Sequence, residues 1–382
     1  MTPRLVVVHE RFTERGGSER VVEQLAALSE NSRVYAPIVD RTVLEGRLSS
    51  AELTSSPLQR LYRDRGRYAH LLPLLGAAMR TADLSDADVV VLSHHAFANR
   101  VRVPDGVPVI GYVHSPARWM WDTAKLRGER GGRFGAGALR AFAAASRPVD
   151  KAAAGRVDHL IANSRTVAGR ILRWWGRHAT VVHPPVDVRY HTPAAVDRED
   201  FFLVAGRLVP YKRVDLAVAA ATAAGRRLVV AGDGRALPGL RSMAGPTVEF
   251  VGAVDDAELR DLYRRCAALV FPGEEDFGIV PVEAQACGAP VIAAAVGGAT
   301  ETVVDGVTGS LLDLDGDDPV AALAGALRSF DPSNLDDTRI RANAERFSRE
   351  RFRDEMHAVL SQRVDGWERP TAARAAVEAV AS

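Results

Sequence analysis

Cysteine, lysine and long apolar runs are scarce in this 382-residue chain, and each scarcity excludes something. Only Cys266 and Cys287 occur, without the paired spacing of a zinc site or a disulfide framework. That pattern points to a reducing compartment, with the cytoplasm as the default. No apolar run approaches the roughly 18 residues that cross a bilayer. The opening "MTPRLVVVHE" turns polar at His9 and Glu10 after four apolar residues, so it reads as a first strand and not as a signal peptide. "HERFTERGGSER" lacks the G-x-G-x-x-G fingerprint after that strand, which argues against a dehydrogenase. No Asp-x-Asp run follows any of the segments read below as strands, so neither a metal nor another cofactor is expected. Net charge is only +1, yet it hides an asymmetry. Up to residue 190 there are 28 Lys and Arg against 18 Asp and Glu; beyond it, 21 against 30. A basic first half is suited to an anionic partner, although ordinary surface composition produces the same count.

What is present is the composition of a globular protein, 47% apolar and 25% charged, at a length that fits two domains. Apolar runs alternate with helical patterns. "RLVVVH", "ADVVVLS", "VPVIGYVH" and "DHLIANS" read as strands in the first half. "EDFFLVAG", "RRLVVAGDG", "VEFVG", "CAALVFPG" and "APVIAAA" do so in the second. Near-continuous Val, Ile and Leu fit parallel strands buried on both faces, and the alternation fits α/β units. The pattern restarts near residue 200, after the proline-containing "HPPVDVRYHTPAAVDRED". The expected division is therefore residues 1–185, residues 186–362, and a helical tail over 363–382 that packs back on the first domain. In such folds ligands bind outside the carboxyl ends of the strands.

"LVFPGEEDFGIVPVEAQACG" reads as strand, loop and short helix, with Pro281 in the first turn and Gly288 just past the end. The unpaired amides of Gly278, Ile279 and Val280 make an anion site. Glu275 lies on the loop before it and Glu283 in the turn after it. A ligand with an anionic middle and hydroxylated ends suits that layout, as a nucleotide sugar does. Two plainer roles remain open: Glu283 complementing the helix dipole, and Glu275 as a solvated loop acid.

This stretch resembles the E-x7-E signature of the retaining GT-B glycosyltransferases of family 4. "VAGRLVPYKRVDLAV", "VVAGDG", "VEFVGAVDDAELRDLY" and "VGGATETVVDGVTGSLL" follow in that family's order, as do "ERGGSERVVEQLA", "DHLIANSRTVAGRI" and "VVHPPVDVRYH" earlier; the matches span most of residues 5–315. "GYVHSPARWMWD", with the preceding "LLPLLGAAMRTADLSDADVVVLSHHAFA", is similar to bacterial GDP-mannose-dependent mannosyltransferases. The resemblance implies two Rossmann-like domains facing across a deep cleft, the first binding the acceptor and the second the donor. It implies an α-mannosyltransferase acting on a glycan or lipid-linked acceptor. A UDP-sugar donor, or a GT-B sugar-nucleotide epimerase, are the alternatives.

The resemblance also assigns roles. Arg207 and Lys212 go to the donor phosphates, and fixed cations there would stabilise a leaving diphosphate. Lys212 stands out because the chain has three lysines among 49 basic residues. His114 and Glu275 go to the reacting sugar. Gly16, Gly17, Gly234, Val254, Phe277, Gly278, Ile279, Val280 and Glu283 line the donor. Arg118, Trp119 and Asp122 go to the acceptor side, although an aromatic–Arg cluster is also an ordinary packing unit. His94 and His95 receive no role, and Asn163 and Ser164 are candidates to cap the helix that follows. "LQRLYRDRGRYAHLLPLLGAAM" carries Arg60, Arg63, Arg65 and Arg67 beside leucines and tyrosines. It suits a peripheral contact with an anionic membrane surface, or a packed helix pair with its arginines in water. No nucleic-acid partner is expected.

Overall fold

The computed structural model describes residues 3–14, 16–44, 48, 51–63, 71–122 and 132–368. The chain divides into two compact units. One comprises the residues up to Pro185 together with those from Glu350 onward; the other is Val186–Arg349.

The first unit is built on seven strands: β1 (Leu5–His9), β2 (Ser32–Tyr35), β3 (Glu52–Thr54), β4 (Val89–His94), β5 (Val109–Val113), β6 (His159–Ala162) and β7 (Thr180–Val181). All pair in parallel, in the order β3-β2-β1-β4-β5-β6-β7. Every residue of β1 and β4 is buried, so the valine runs are those of a sheet covered on both sides. Side chains alternate between two cores. Val6, Val8, Val90 and Leu92 face one; Leu5, Val7, Val89, Val91, Ile110 and Tyr112 face the other. Continuing that period places His9, Ser93 and His114 on the second face, at the strands' carboxyl ends. Register agrees: β1 pairs with β4 from Leu5 opposite Val89 to His9 opposite Ser93.

The second unit has six parallel strands: β8 (Phe202–Ala205), β9 (Leu228–Ala231), β10 (Val248–Gly252), β11 (Ala268–Phe271), β12 (Val291–Ala294) and β13 (Gly309–Leu312). Their order is β10-β9-β8-β11-β12-β13. The strand order reverses between β1 and β4 in the first sheet and between β8 and β11 in the second. Loops leave such a pair in opposite directions, and the gap between them is the ordinary ligand position of an α/β sheet.

The ends of the chain depart from expectation. The helix Arg349–Ser361 was expected inside the second domain, but all of it beyond Arg349 belongs to the first unit. Phe352, Met356, Leu360, Val364 and Trp367 are buried in the core that holds Leu5, Val7 and Tyr112. Phe352, Met356, Val359 and Leu360 recur at helical spacing in the sequence, but such a stripe does not name the core that covers it. β2, β3, β7 and β13 were also not anticipated, being short or mixed in polarity. The predicted basic segment is described only in part: Arg60 ends in a 3₁₀ turn, Pro57–Leu61, and Leu72–Ala78 is a helix. Arg65, Arg67 and Tyr68 lie outside the described residues, as does the tail beyond residue 368. Among the described residues no helix is long and apolar enough to cross a membrane.

Candidate active site

In the second unit the two residues following the switch-point strands meet. Lys212 ends a 3₁₀ turn, Pro210–Lys212, after β8, and Glu275 lies on the loop after β11. The Lys212 ammonium forms an ion pair with Glu275 Oε1, both side chains being largely buried. Glycines make this approach possible. A Cβ on Gly273 would lie 2.6 Å from Lys212 Cα, and one on Gly298 would lie 2.2 Å from the Phe277 backbone. The Gly298 amide donates to the Glu275 carbonyl at 2.9 Å, so "VGGATE" is the cradle of the Glu275 loop. Arg207 is exposed at the end of β8, where its guanidinium donates to Tyr211 Oη at 3.4 Å.

The helix after that loop runs Ile279–Ala286, with Gly278 as its N-cap at φ 90°, a left-handed conformation that glycine adopts without strain. Gly278 has no capping side chain, so the amides of the first turn remain available to an anion. Phe277 is buried, while Ile279 and Val280 are half-buried. Glu283 is turned into the unit: Tyr263 Oη donates to its Oε2 at 3.3 Å and His191 Nε2 lies 3.6 Å from its Oε1. The helix is pinned from behind. Arg341 donates to the carbonyls of Ala286 and Val188, and Asn343 donates to Gln285 Oε1 at 2.7 Å. Gly234 packs backbone to backbone, since a Cβ there would lie 2.3 Å from the Leu208 carbonyl. Val254 leans on the core of Tyr263 and Phe271.

In the first unit the carboxyl ends of β1, β4 and β5 gather a buried polar cluster. Ser93 Oγ lies 2.8 Å from His114 Nε2 and 3.0 Å from His9 Nδ1. His9 Nε2 faces Glu19 Oε1 at 3.7 Å, and Ser18 donates to the other Glu19 oxygen at 2.9 Å. Burial would raise the Glu19 pKa, but contact with His9 and the donors around it bring it down to about 2. Gly16 caps the helix Gly17–Ala26, and a Cβ there would fall 2.7 Å from Glu19 Oε2. Gly16 therefore leaves room for this carboxylate. His114 stacks on His95 with centroids 4.4 Å apart, and burial, reinforced by His9, brings its pKa down to about 3. His95 is lowered well below the usual range for the same first cause, with His114 next.

Glu10 closes the floor of this cluster. Its Oε1 accepts from the amides of His95 at 2.9 Å and Phe97 at 2.7 Å, and from Ala96. Burial pushes its pKa up, and His94 and these amides outweigh that, leaving it lowered. His94 is buried edge-on against Trp175. His9, Glu19 and Ser93 were not singled out from sequence. The available signal was a polar residue ending a valine run, as in "VVVHE" and "VVVLSHH".

Arg118, Trp119 and Asp122 sit around a one-turn helix, Arg118–Trp121, with Asp122 as its C-cap. Trp119 stacks on Phe142 with centroids 5.7 Å apart. Asp150, fully buried, accepts from the indoles of Trp121 at 2.7 Å and Trp175 at 2.8 Å and so anchors this turn. Ser164 caps the helix Arg165–Trp175 by accepting from Val167 N at 3.0 Å.

Comparison with known proteins agrees with this layout. Residues 15–190 match the family described as Glycosyltransferase Family 4, and residues 192–346 match Glycosyl transferases group 1. A D-inositol 3-phosphate glycosyltransferase 1 of Catenulispora acidiphila is 34% identical over 320 residues, 74% of this chain and 72% of the relative. A D-inositol 3-phosphate glycosyltransferase of Kribbella flavida is 35% identical over 203 residues; that match spans 44% of this chain and about half, 48%, of the relative. Two solved structures share the fold. A sucrose-phosphate synthase from Thermosynechococcus elongatus has a TM-score of 0.74 at 20% identity, covering 94% of this chain and 98% of its own. Anabaena Alr3699/HepE in complex with UDP and glucose has 0.69 at 19%, covering 93% and 99%. With both sheets parallel, both family matches in chain order and a relative aligned over most of its length, the chain belongs to the GT-B glycosyltransferases of family 4, the group 1 glycosyl transferases.

Proposed function

We propose that this glycosyltransferase takes a hexose from a nucleoside-diphosphate sugar, with GDP-mannose as the leading donor, and transfers it with retention to a hydroxyl of a glycan or lipid-linked acceptor. The observation that carries this is the Lys212–Glu275 ion pair at the switch point of the second sheet. Without a ligand, cation and acid neutralise each other. A donor separates them, giving Lys212 a phosphate and Glu275 a sugar hydroxyl. Arg207 and the amides after Gly278 complete the phosphate grip. Glu283, held by Tyr263 Oη and beside His191, is assigned to a ribose hydroxyl.

The C1–O bond to the diphosphate breaks and the acceptor oxygen bonds to C1 on the same face. The acceptor's proton passes to a phosphate oxygen of the leaving group. Arg207 and Lys212 lower the barrier by stabilising the charge that develops there, and Glu275 holds the sugar. On the first unit, His114 hydrogen-bonds the transferred sugar, and Gly16 and Gly17 admit substrate to the backbone. Arg118 and Asp122 serve the acceptor side.

A UDP-sugar is the second donor to consider. The HepE structure that shares the fold holds UDP and glucose. The relatives are D-inositol 3-phosphate glycosyltransferases, so D-inositol 3-phosphate is an acceptor to include in any panel. The test is donor hydrolysis and transfer across GDP- and UDP-sugars. Turnover of GDP-mannose above UDP-glucose supports the leading assignment, and the reverse order replaces it. Flotation with anionic and neutral vesicles tests whether the basic segment around Arg60 and Arg63 brings the enzyme to a membrane surface.

A further inference from the structure

Glu19, His9, Ser93 and His114 form one line of polar contacts across three neighbouring strand ends and the first helix. The distances along it are 3.7 Å, 3.0 Å and 2.8 Å. The two imidazole rings and the Ser93 hydroxyl face the same side of the sheet because their strands alternate in step. All four residues are buried, His114 the most exposed at 8%. Such an arrangement costs several ordered polar groups in a core, where an apolar residue would pack as well.

We propose that Glu19, His9 and Ser93 are positioning residues that fix which nitrogen of His114 carries its proton. The inference rests on His114 serving the sugar, as proposed above. Its logic is directional. An ionised carboxylate only accepts, and Glu19 is ionised at neutral pH. At 3.7 Å it acts on His9 as a charge more than as a hydrogen-bond partner, and it holds the proton on the nearer nitrogen, Nε2. A neutral His9, which the proposed line requires, accepts the Ser93 hydroxyl proton at Nδ1. Ser93 has no second proton to give, so its oxygen must accept, and His114 must supply Nε2–H. The Nδ1 of His114 is left with a lone pair, the form that accepts a hydrogen bond from a sugar hydroxyl. The opposite tautomer would present N–H there and would demand the hydroxyl's oxygen instead. A ring tautomer set by the partner of the other nitrogen is a general property of histidine.

The groups facing His114 support a neutral ring. His95 stacks on it and Tyr112 meets it edge-on at 5.3 Å, so burial is the first cause of its lowered pKa, and His94 adds positive potential if protonated. Glu19 opposes them from the far end of the line.

The experiment uses the full chain labelled with ¹⁵N-histidine, without substrate, at pH 7.5. Two-bond proton–nitrogen correlations should show His9 and His114 both neutral with the proton on Nε2. Glu19→Gln keeps the shape of the carboxylate but lets an amide N–H face His9. It should move His114 toward the Nδ1–H form or a mixture. Ser93→Ala, which removes the link and only shrinks a side chain, should do the same. With the donor that proves active, both variants should lower kcat by about tenfold or more while KM stays within about threefold. A charged His9, a His114 protonated on Nδ1 in the wild type, or a His114 tautomer unchanged in both variants would overturn the proposal. An unmoved kcat in both would do so as well. If no nucleotide sugar is turned over, the proposed function fails, and the spectra still decide the tautomer.

Discussion

Lys212 and Glu275 are ion-pair partners with largely buried side chains, so removing one leaves the other's charge without that partner. Lys212→Ala and Glu275→Ala are therefore expected to lower transfer by at least about a thousandfold, in keeping with loss of a preorganised charge contact in a site. Lys212→Met with Glu275→Gln should restore thermal stability without restoring activity, which separates the structural from the chemical role. Both residues were legible in sequence through the motifs around them. Their direct pairing was not, because nothing in "GRLVPYKR" or "GEEDFG" states that a glycine at 273 lets the two loops touch.

The buried cluster of the first unit makes a second prediction at this scale. Glu19 has a folded pKa of about 2 against an ordinary 4.5, so its contribution is present above pH 4.5 and is lost as pH falls toward 2. At about 1.4 kcal/mol per unit this is roughly 3 kcal/mol. His114, at about 3 against 6.5, stays neutral in the fold while the unfolded chain takes a proton, so stability is lost from pH 6.5 downward. Denaturant unfolding across pH 7 to 2 should show a decline beginning near 6.5 and steepening below 4.5. His94 and His95, lowered by the same first cause, share the upper part, so His114→Gln should make it shallower and Glu19→Gln should do the same to the lower. A wild-type curve level from 6.5 to 3 would contradict both assignments.

At the scale of elements, strands and helices followed from pattern wherever apolar runs were long, as in β1, β4, β8 and β11. The missed strands have a physical reason in common. β2 contains Ser32 and Arg33, β3 is three residues long, β7 is two, and β13 begins with a glycine. They exist because the neighbouring strand offers an edge to pair with, a tertiary fact that local propensity does not contain. The helix Ile279–Ala286 is the contrary case, readable almost to the residue from Gly278, Pro281 and Gly288. What the sequence does not display is its support. Gly298 has φ −67° and ψ −18°, a conformation that alanine prefers, so propensity alone makes Gly298→Ala favourable. Space decides the other way, because the new Cβ would lie 2.2 Å from the Phe277 backbone. Overpacking of that kind costs about 1–3 kcal/mol. The loop carrying Glu275 has to move, and Gly298→Ala should lower the melting temperature and weaken donor binding in calorimetry. A variant that gains stability and binds donor normally would show that the loop yields freely.

Over the whole molecule, the chain leaves the first unit at Pro185 and returns to it at Glu350, so the first unit is complete only when the last helix has been made. That helix covers the sheet face whose period continues into His9, Ser93 and His114. Phe352 is 1% exposed and meets Tyr112 edge-on at 5.6 Å, and Tyr112 in turn meets His114. Arg353 adds hydrogen bonds of 2.9 Å and 2.6 Å to Gln24 on the first helix. The contact is therefore both a core and a brace behind the polar cluster. Phe352→Ala should destabilise the first unit by about 3–5 kcal/mol, the usual cost of removing a buried phenylalanine. The second unit has separate cores and none of these contacts, so its own transition should keep its midpoint. Two-phase thermal unfolding in the variant, with only the lower phase shifted, is the expected observation. If both phases shift equally, the last helix stabilises the protein as one cooperative body, and its place in the first core is not what limits that unit.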